Sequence, residues 1–301
     1  MIASMLRQVA SAWLDAGRSA VVVEVIRARG SVPRSSGTRM LVARDAMAGT
    51  IGGGHLELKV IHAARAMLAD VADRTDGAVA RREAHFALGP SLGQCCGGAV
   101  TIAMTPLDAL ALSAWPTSEP LFHLQLHGAG HVGRAIATLL ATLDCRVDWF
   151  DERDEEFPAT TNLGSPWPSH VHQFSADTIE MEVGRAPPGA FYLVLTHEHA
   201  LDRRIVERIL RRGDFAFCGL IGSKTKRATF VRRLAERGVA EAAIERLVCP
   251  IGLPGIDGKA PEIIAAAVVA QLLQLTTSAQ AQAQAQAQAM HGPIGATGAT
   301  H

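Results

Sequence analysis

Two adjacent cysteines, Cys95 and Cys96, precede two glycines in "SLGQCCGGAV" (91–100). Neighbouring cysteines close a strained disulfide ring. On a strand their side chains leave on opposite faces, so at most one of them serves a common site. As thiolates they are soft ligands suited to a metal or sulfido group; as thiols they are small residues that pack into a core. "GTIGGGHLE" (49–57) sets Gly52, Gly53 and Gly54 ahead of an expected helix. That run makes either a tight strand-to-helix turn or a backbone cradle for an anion. Arg34 and Arg39, in "GSVPRSSGTRM", carry guanidinium groups able to pair with phosphate.

Gly128, Gly130 and Gly133 form a G-x-G-x-x-G between an apolar run and a helical one in "LFHLQLHGAGHVGRAIATLL". The first glycine permits the turn, the second lets a phosphate approach the backbone, and the third lets helix and strand pack closely. Asp151 lies 23 residues after Gly128, at the end of the next expected strand, where a carboxylate can accept a ribose hydroxyl. "GLIGSKTKRATF" (219–230) places Ser223 and Lys224 at a helix start, with Lys226 and Arg227 following. Cations there oppose the helix dipole, and the segment reads either as an anion site or as a capped helix with solvated lysines. "LTHEHALD" (195–202) holds His197, His199 and Asp202. Ala200 and Leu201 break the ligand spacing of a dinuclear zinc hydrolase, so a strand-end turn beside a ligand is the expectation. Either histidine would be the candidate acid or base of an oxidoreductase.

The elements that must position these residues fall into two groups. Residues 3–16 have helical periodicity, 20–26 and 39–43 read as strands, a helix opens near His55, and strands follow at 82–88 and 99–105. This predicts a smaller α+β domain of mixed or antiparallel strands over residues 1–108. "PLDALALSAWPTSEP" supplies a linker at 109–120. From 121 to 277 strands alternate with helices: 121–127, 146–151, 190–196 and 215–221 as strands, and 132–143, 202–213, 224–238 and 261–275 as helices. Alternation of this kind predicts a doubly wound, Rossmann-like parallel sheet, giving an α/β protein overall. The Ala-Gln repeat within 278–301 has little to bury and reads as a disordered, low-complexity tail.

Bulk properties narrow the class. The 301 residues carry 29 Lys+Arg against 29 Asp+Glu and are 48% hydrophobic, so no net charge draws the chain to nucleic acid or an anionic membrane. An odd set of five cysteines is no disulfide framework. Cys218, inside an apolar run, reads as core, and Cys249 is ambiguous. The start lacks a signal-peptide core and the longest apolar run is short for a bilayer. These features predict a cytoplasmic protein.

Together "GSVPRSSGTRMLV", "GTIGGGHLE", "QCCGG", "HGAGHVGRA", "LTHEHALD", "GLIGSKTKRATF" and "CPIGLPG…PEIIAAAVVAQLL" resemble the XdhC/CoxF accessory proteins of xanthine dehydrogenase. The last helix departs from that pattern, reading Pro261-Glu262-Ile263 where relatives carry Pro-Glu-Glu-Ile. The resemblance implies a chaperone rather than an enzyme. It would hold molybdenum cofactor in its molybdopterin form as cargo, support its sulfuration with a cysteine desulfurase, and deliver it to the large, molybdenum-bearing subunit of apo-xanthine dehydrogenase. In that setting Cys95 or Cys96 becomes a contact for molybdenum or its sulfido ligand. Arg34, Arg39 or Lys224 balances the phosphate, and a homodimer is compatible. Two other functions stay open at this level. One is an NAD(P)-dependent oxidoreductase using the Gly128–Gly133 loop with Asp151; the other is a metal hydrolase built on His197 and His199.

Overall fold

The computed structural model describes residues 3–72, 81–88, 97–116 and 119–290. The chain divides into two units between Glu119 and Pro120.

In the first unit, α1 (Ala3–Asp15) leads into β1 (Ala20–Arg29), β2 (Arg39–Ala43) and β3 (Met47–Gly49). Then come α2 (Gly54–Ala72), β4 (Arg82–Ala87), β5 (Ala99–Pro106) and α3 (Ala109–Ser113). All pairings are antiparallel, in the order β3-β2-β1-β5-β4. The β-branched run of β1 explains the layering. Val21, Val23 and Val25 pack with Leu56, Val60 and Met67 of α2, while Ala20 and Val22 pack with Leu6 and Ala10 of α1. Alternate side chains of a strand leave opposite faces, so this central strand is apolar on both. The segment expected as a linker is structured: Asp108 caps α3 and Trp115 is buried. Aromatic burial there closes the open end of the α1 layer.

The second unit contains β6 (His123–His127), α4 (His131–Leu140), β7 (Arg146–Asp151), β8 (Val171–Ser175) and β9 (Phe191–Val194). It continues with α5 (His199–Arg212), β10 (Phe217–Leu220), α6 (Lys224–Glu236), α7 (Glu241–Glu245), β11 (Leu247–Val248) and α8 (Pro261–Met290). Its six strands are parallel in the order β11-β10-β9-β6-β7-β8. This is the Rossmann arrangement, with the strand order reversing between β6 and β9. α4 and α8 cover one face through Ile136, Leu140, Ala265, Val268 and Leu272, meeting Leu124, Leu126 and Trp149. α5 and α6 cover the other, where Ile205, Ile209, Phe230 and Leu234 meet Tyr192, Val194 and Leu220. Cys218 is core, as expected, and burial pushes its thiol up to about 12.

The second unit also differs from the sequence reading. β8 and β11 escape it because one is polar and the other has only two residues. No α-helix joins β7 to β8; among the described residues that connection holds a 3-10 turn at Asp154–Glu156. α8 runs beyond residue 277 to Met290: Ala and Gln favour helix, and an established helix extends without a new nucleation cost. Its Pro261–Ser278 stretch is long and apolar enough to cross a membrane by length and composition. Its buried face, Ala265, Val268 and Leu272, nevertheless belongs to the core of this unit.

β6 reads His-Leu-Gln-Leu-His, so one of its faces is polar. Gln125 Nε2 donates to the Glu182 carbonyl at 2.8 Å. His127 is fully buried against Phe150, and neither ring nitrogen has a hydrogen-bond partner among the described residues. Burial alone pushes its pKa from 6.5 down to about 3. The unfolded chain therefore binds the extra proton between those values, and stability falls as the pH drops below 6.5. Replacing His127 with Phe is expected to remove a slope of up to about 1.4 kcal/mol per pH unit. Urea denaturation of wild type and variant across that interval measures it, and equal slopes would contradict a buried neutral imidazole.

Candidate functional site

In the first unit, three of the motif segments meet at one place. Gly52 has φ +121°, and a Cβ there would lie 2.6 Å from Pro33 Cβ and 3.4 Å from Arg34 Cγ. Gly98 sits so close to Arg29 and Ser31 that a Cβ would overlap their carbonyls, and Gly30 faces it in turn. The segments at Gly30 and Gly98 therefore pack through backbone, while Gly52 packs against the Pro33 ring. Gly53 and Gly97 differ from these, since a Cβ on either would meet nothing within 4 Å. Arg34 is exposed and has no ion-pair partner among the described residues. Gly54, at φ +70°, opens α2. Cys95 and Cys96 lie outside the described residues.

Glu57 organises this turn. Its Oε2 accepts from the Ile51 and Gly53 amides, each at 3.0 Å, and from the Thr50 hydroxyl. The donors expected to cradle an anion are thus held by a carboxylate of the chain itself. Glu57 stands in the quoted motif without having been assigned a role; its signal was an acid reaching back from the first turn of the helix, as in a capping box. Arg39 is likewise engaged elsewhere. It pairs with Glu24 at 2.6 Å and stacks over Trp115 at 5.2 Å, because its place at the start of β2 sets it opposite Glu24 in register. It is a structural residue in this arrangement, not a free phosphate ligand.

In the second unit the motif residues gather at the carboxyl ends of the parallel strands, where ligands of open α/β sheets bind. Gly128, at φ +123°, leaves no room for a Cβ against the Leu195 carbonyl, and a Cβ at Gly133 would overlap the Gly128 carbonyl. Gly130 faces open space and begins α4 without any side-chain cap. Asp151 is buried beneath this loop. Its carboxylate accepts from the Ala129 amide at 2.7 Å, from the Arg153 amide and Nε at 3.0 Å each, and from Arg153 Nη2 at 3.1 Å. Burial by itself would raise the carboxyl, but the Arg153 and backbone hydrogen bonds outweigh it and hold the pKa below the usual range. Arg153 also pairs with Glu156, and Arg134 joins Glu156 to the Ala129 carbonyl. Asp151 therefore fastens the glycine loop and is not poised for a ribose, contrary to the sequence expectation.

Beyond β9, Asp202 has no exposed surface. It accepts from the Thr196 amide at 3.0 Å and hydroxyl at 2.7 Å, and pairs with Lys226 Nζ at 2.7 Å. Lys226 runs across Gly222, where a Cβ would strike its stem. This joins "THEHALD" to "GSKTK". Ser223 caps α6, accepting from the Lys226 amide. Lys224 is exposed without an ion-pair partner among the described residues, and His197 and His199 are exposed. Among the described residues no three His, Cys, Asp or Glu side chains are grouped to hold a metal ion. Cys249 contacts the Ser223 carbonyl at 3.8 Å, and burial raises its thiol despite Lys226 and Arg227.

Comparison with known proteins gives a consistent result. The family description "XdhC Rossmann domain" matches residues 124–272, and "XdhC and CoxI family" matches residues 13–77. The Escherichia coli (strain K12) protein YqeB, whose name calls it uncharacterized, is 32% identical over 264 residues, covering 86% of this chain. The chain spans 44% of the length of that relative. A crystal structure described as a xanthine dehydrogenase from Bacillus halodurans superposes with a TM-score of 0.70 at 20% identity, over 92% of this chain and 96% of that one. At that identity the likeness concerns the fold.

The Asp202–Lys226 pair yields a prediction. Lys226→Met leaves a buried carboxylate unpaired and is expected to cost about 3–5 kcal/mol of stability. Adding Asp202→Asn is expected to recover more than half of that loss. A chemical-denaturation double-mutant cycle measures both, and additive losses would show the two groups to be independent.

Proposed function

The chain belongs to the XdhC and CoxI family, and on that premise we propose that it is a chaperone for molybdenum cofactor in the maturation of xanthine dehydrogenase. It holds the molybdopterin form as cargo, supports its sulfuration by a cysteine desulfurase, and passes it to the apo-enzyme's large subunit.

The observation carrying this reading is the convergence of the three glycine segments in the first unit. Gly30 and Gly98 approach backbone too closely for side chains and Gly52 packs on the Pro33 ring, while a Cβ on Gly53 or Gly97 would meet nothing within 4 Å and Arg34 is exposed. Closely packed backbone beside an exposed guanidinium suits a charged, bulky cargo that must later be released. Cys95 and Cys96, directly before Gly97, are the proposed soft contacts. In the second unit the uncapped start of α4 at Gly130 offers amides to a phosphate. Lys224, next to the cap residue Ser223 at the start of α6, is an exposed cation with no ion-pair partner among the described residues. A chaperone needs no acid, base or nucleophile, and the engagement of Asp151 removes the group on which a hydride-transfer reading depended.

The test is retention of molybdopterin cofactor by the purified protein through gel filtration, together with activation of apo-xanthine dehydrogenase. Wild type is expected to retain cofactor and speed activation. Gly97→Trp is expected to reduce retention at least ~10-fold at an unchanged melting temperature, because the position faces open space and its φ is not left-handed. Arg34→Glu and the Cys95→Ala/Cys96→Ala double variant are expected to weaken it as well. Failure of the wild-type protein both to retain cofactor and to speed activation would overturn the proposal.

A further inference from the structure

The polar face of β6 opens into a cleft that none of the glycine motifs uses. His123, Arg146, Asp148, Phe150, Phe174, Arg185 and Pro187 enclose about 400 Å³ beside β7 and β8. That volume is near the low end for small-ligand pockets, roughly 300–1,000 Å³; it suits a mononucleotide better than a dinucleotide. The cleft exists because no helix of the β7–β8 or β8–β9 connections covers this end of the sheet. The 3-10 segment Ile179–Arg185 closes only part of it.

Its chemistry is specific. In register, Phe150 stands beside Phe174, and the two rings stack with centroids 5.1 Å apart and planes 19° from parallel. Phe174 is 38% exposed, an aromatic face left open at the edge strand. His123 Nε2 lies 2.6 Å from Asp148 Oδ2, and Arg146 Nε lies 3.4 Å from Asp148 Oδ1. Burial would raise the Asp148 carboxyl, yet His123 and Arg146 hold it below the ordinary range. The Asp148 carboxylate holds the His123 ring through Nε2, which leaves Nδ1 without a hydrogen-bond partner among the described residues. Arg185, 73% exposed, is tethered to Glu182 at 2.7 Å and keeps further N–H groups free. A stacking platform, one imidazole nitrogen open to a hydrogen bond and two guanidiniums at the rim match one ligand class: a planar heterocycle with a hydrogen-bonding edge and a negatively charged group.

We propose that this cleft is a second ligand site, distinct from the glycine loops, for a purine mononucleotide. The proposal does not rest on the identity of the chaperoned cargo.

Calorimetric titration of the full chain with GMP tests it, with guanosine and ribose 5-phosphate as separate arms. GMP is expected to bind with a Kd at or below about 100 μM. Guanosine is expected to bind at least ~10-fold more weakly for want of the phosphate, and ribose 5-phosphate to give no measurable heat. Phe174→Ala and Arg185→Ala, both at exposed positions, are each expected to weaken GMP at least ~5-fold at unchanged melting temperature. Gly130→Asp, which puts a carboxylate at the start of α4, is expected to leave GMP binding intact. Absence of GMP binding to the wild-type chain overturns the proposal. So does binding that survives both cleft variants, and so does binding lost in Gly130→Asp, which would assign the nucleotide to the glycine loop.

Discussion

Backbone amides in a tight turn must find acceptors once the chain folds over them, and here carboxylates of the chain itself supply them. Glu57 takes the Ile51 and Gly53 amides, Asp151 takes that of Ala129, and Asp202 takes that of Thr196. Each acid is tied in turn to a second group: Thr50 for Glu57, Arg153 for Asp151 and Lys226 for Asp202. Glycine permits the turns, and the carboxylates keep them in one shape. The loops of each unit are therefore set before any ligand arrives, which lowers the ordering cost of binding.

The same accounting explains the second unit's unusual sheet. Parallel sheets are normally apolar on both faces. β6 instead presents His123, Gln125 and His127 on one face, next to Asp148 and Phe150 of β7. Part of that polarity is satisfied locally, through Glu182 for Gln125 and Asp148 for His123. The rest is retained at a cost, since His127 is buried without a partner among the described residues. A helix packed over this end would have to desolvate His123, Asp148 and Arg146 together. The short 3-10 segment avoids that by covering Gln125 while leaving the cleft open.

Much of this was legible in the residues. The valine run of β1, the strand–glycine–helix pattern at Gly128 and the core position of Cys218 follow from periodicity and burial, which local sequence encodes. The engagement of Arg39 and Asp151 was not legible. Arg39 looks like a loop cation until strand register places Glu24 opposite it, and Asp151 looks like a ribose ligand until Arg153, two residues later, folds back. Both depend on side-chain direction, which spacing does not specify. The polar alternation of "HLQLH" was visible, but its apolar half dominates any averaged reading of the strand.

The fate of Asp151 bears on what a Rossmann frame permits. To accept a ribose diol, its carboxylate would have to surrender charge-assisted hydrogen bonds from Arg153, each contributing about 1.5–3 kcal/mol, and receive neutral ones contributing about 0.5–1.5 kcal/mol. The exchange also frees Arg153 and loosens the Ala129 amide of the loop that the phosphates would need. Dinucleotide binding in the standard mode thus works against the fold's own electrostatics. The topology is retained while the ligand logic is changed, leaving the uncapped α4 start and the space at Gly130 as the parts of the crevice still free to receive an anion.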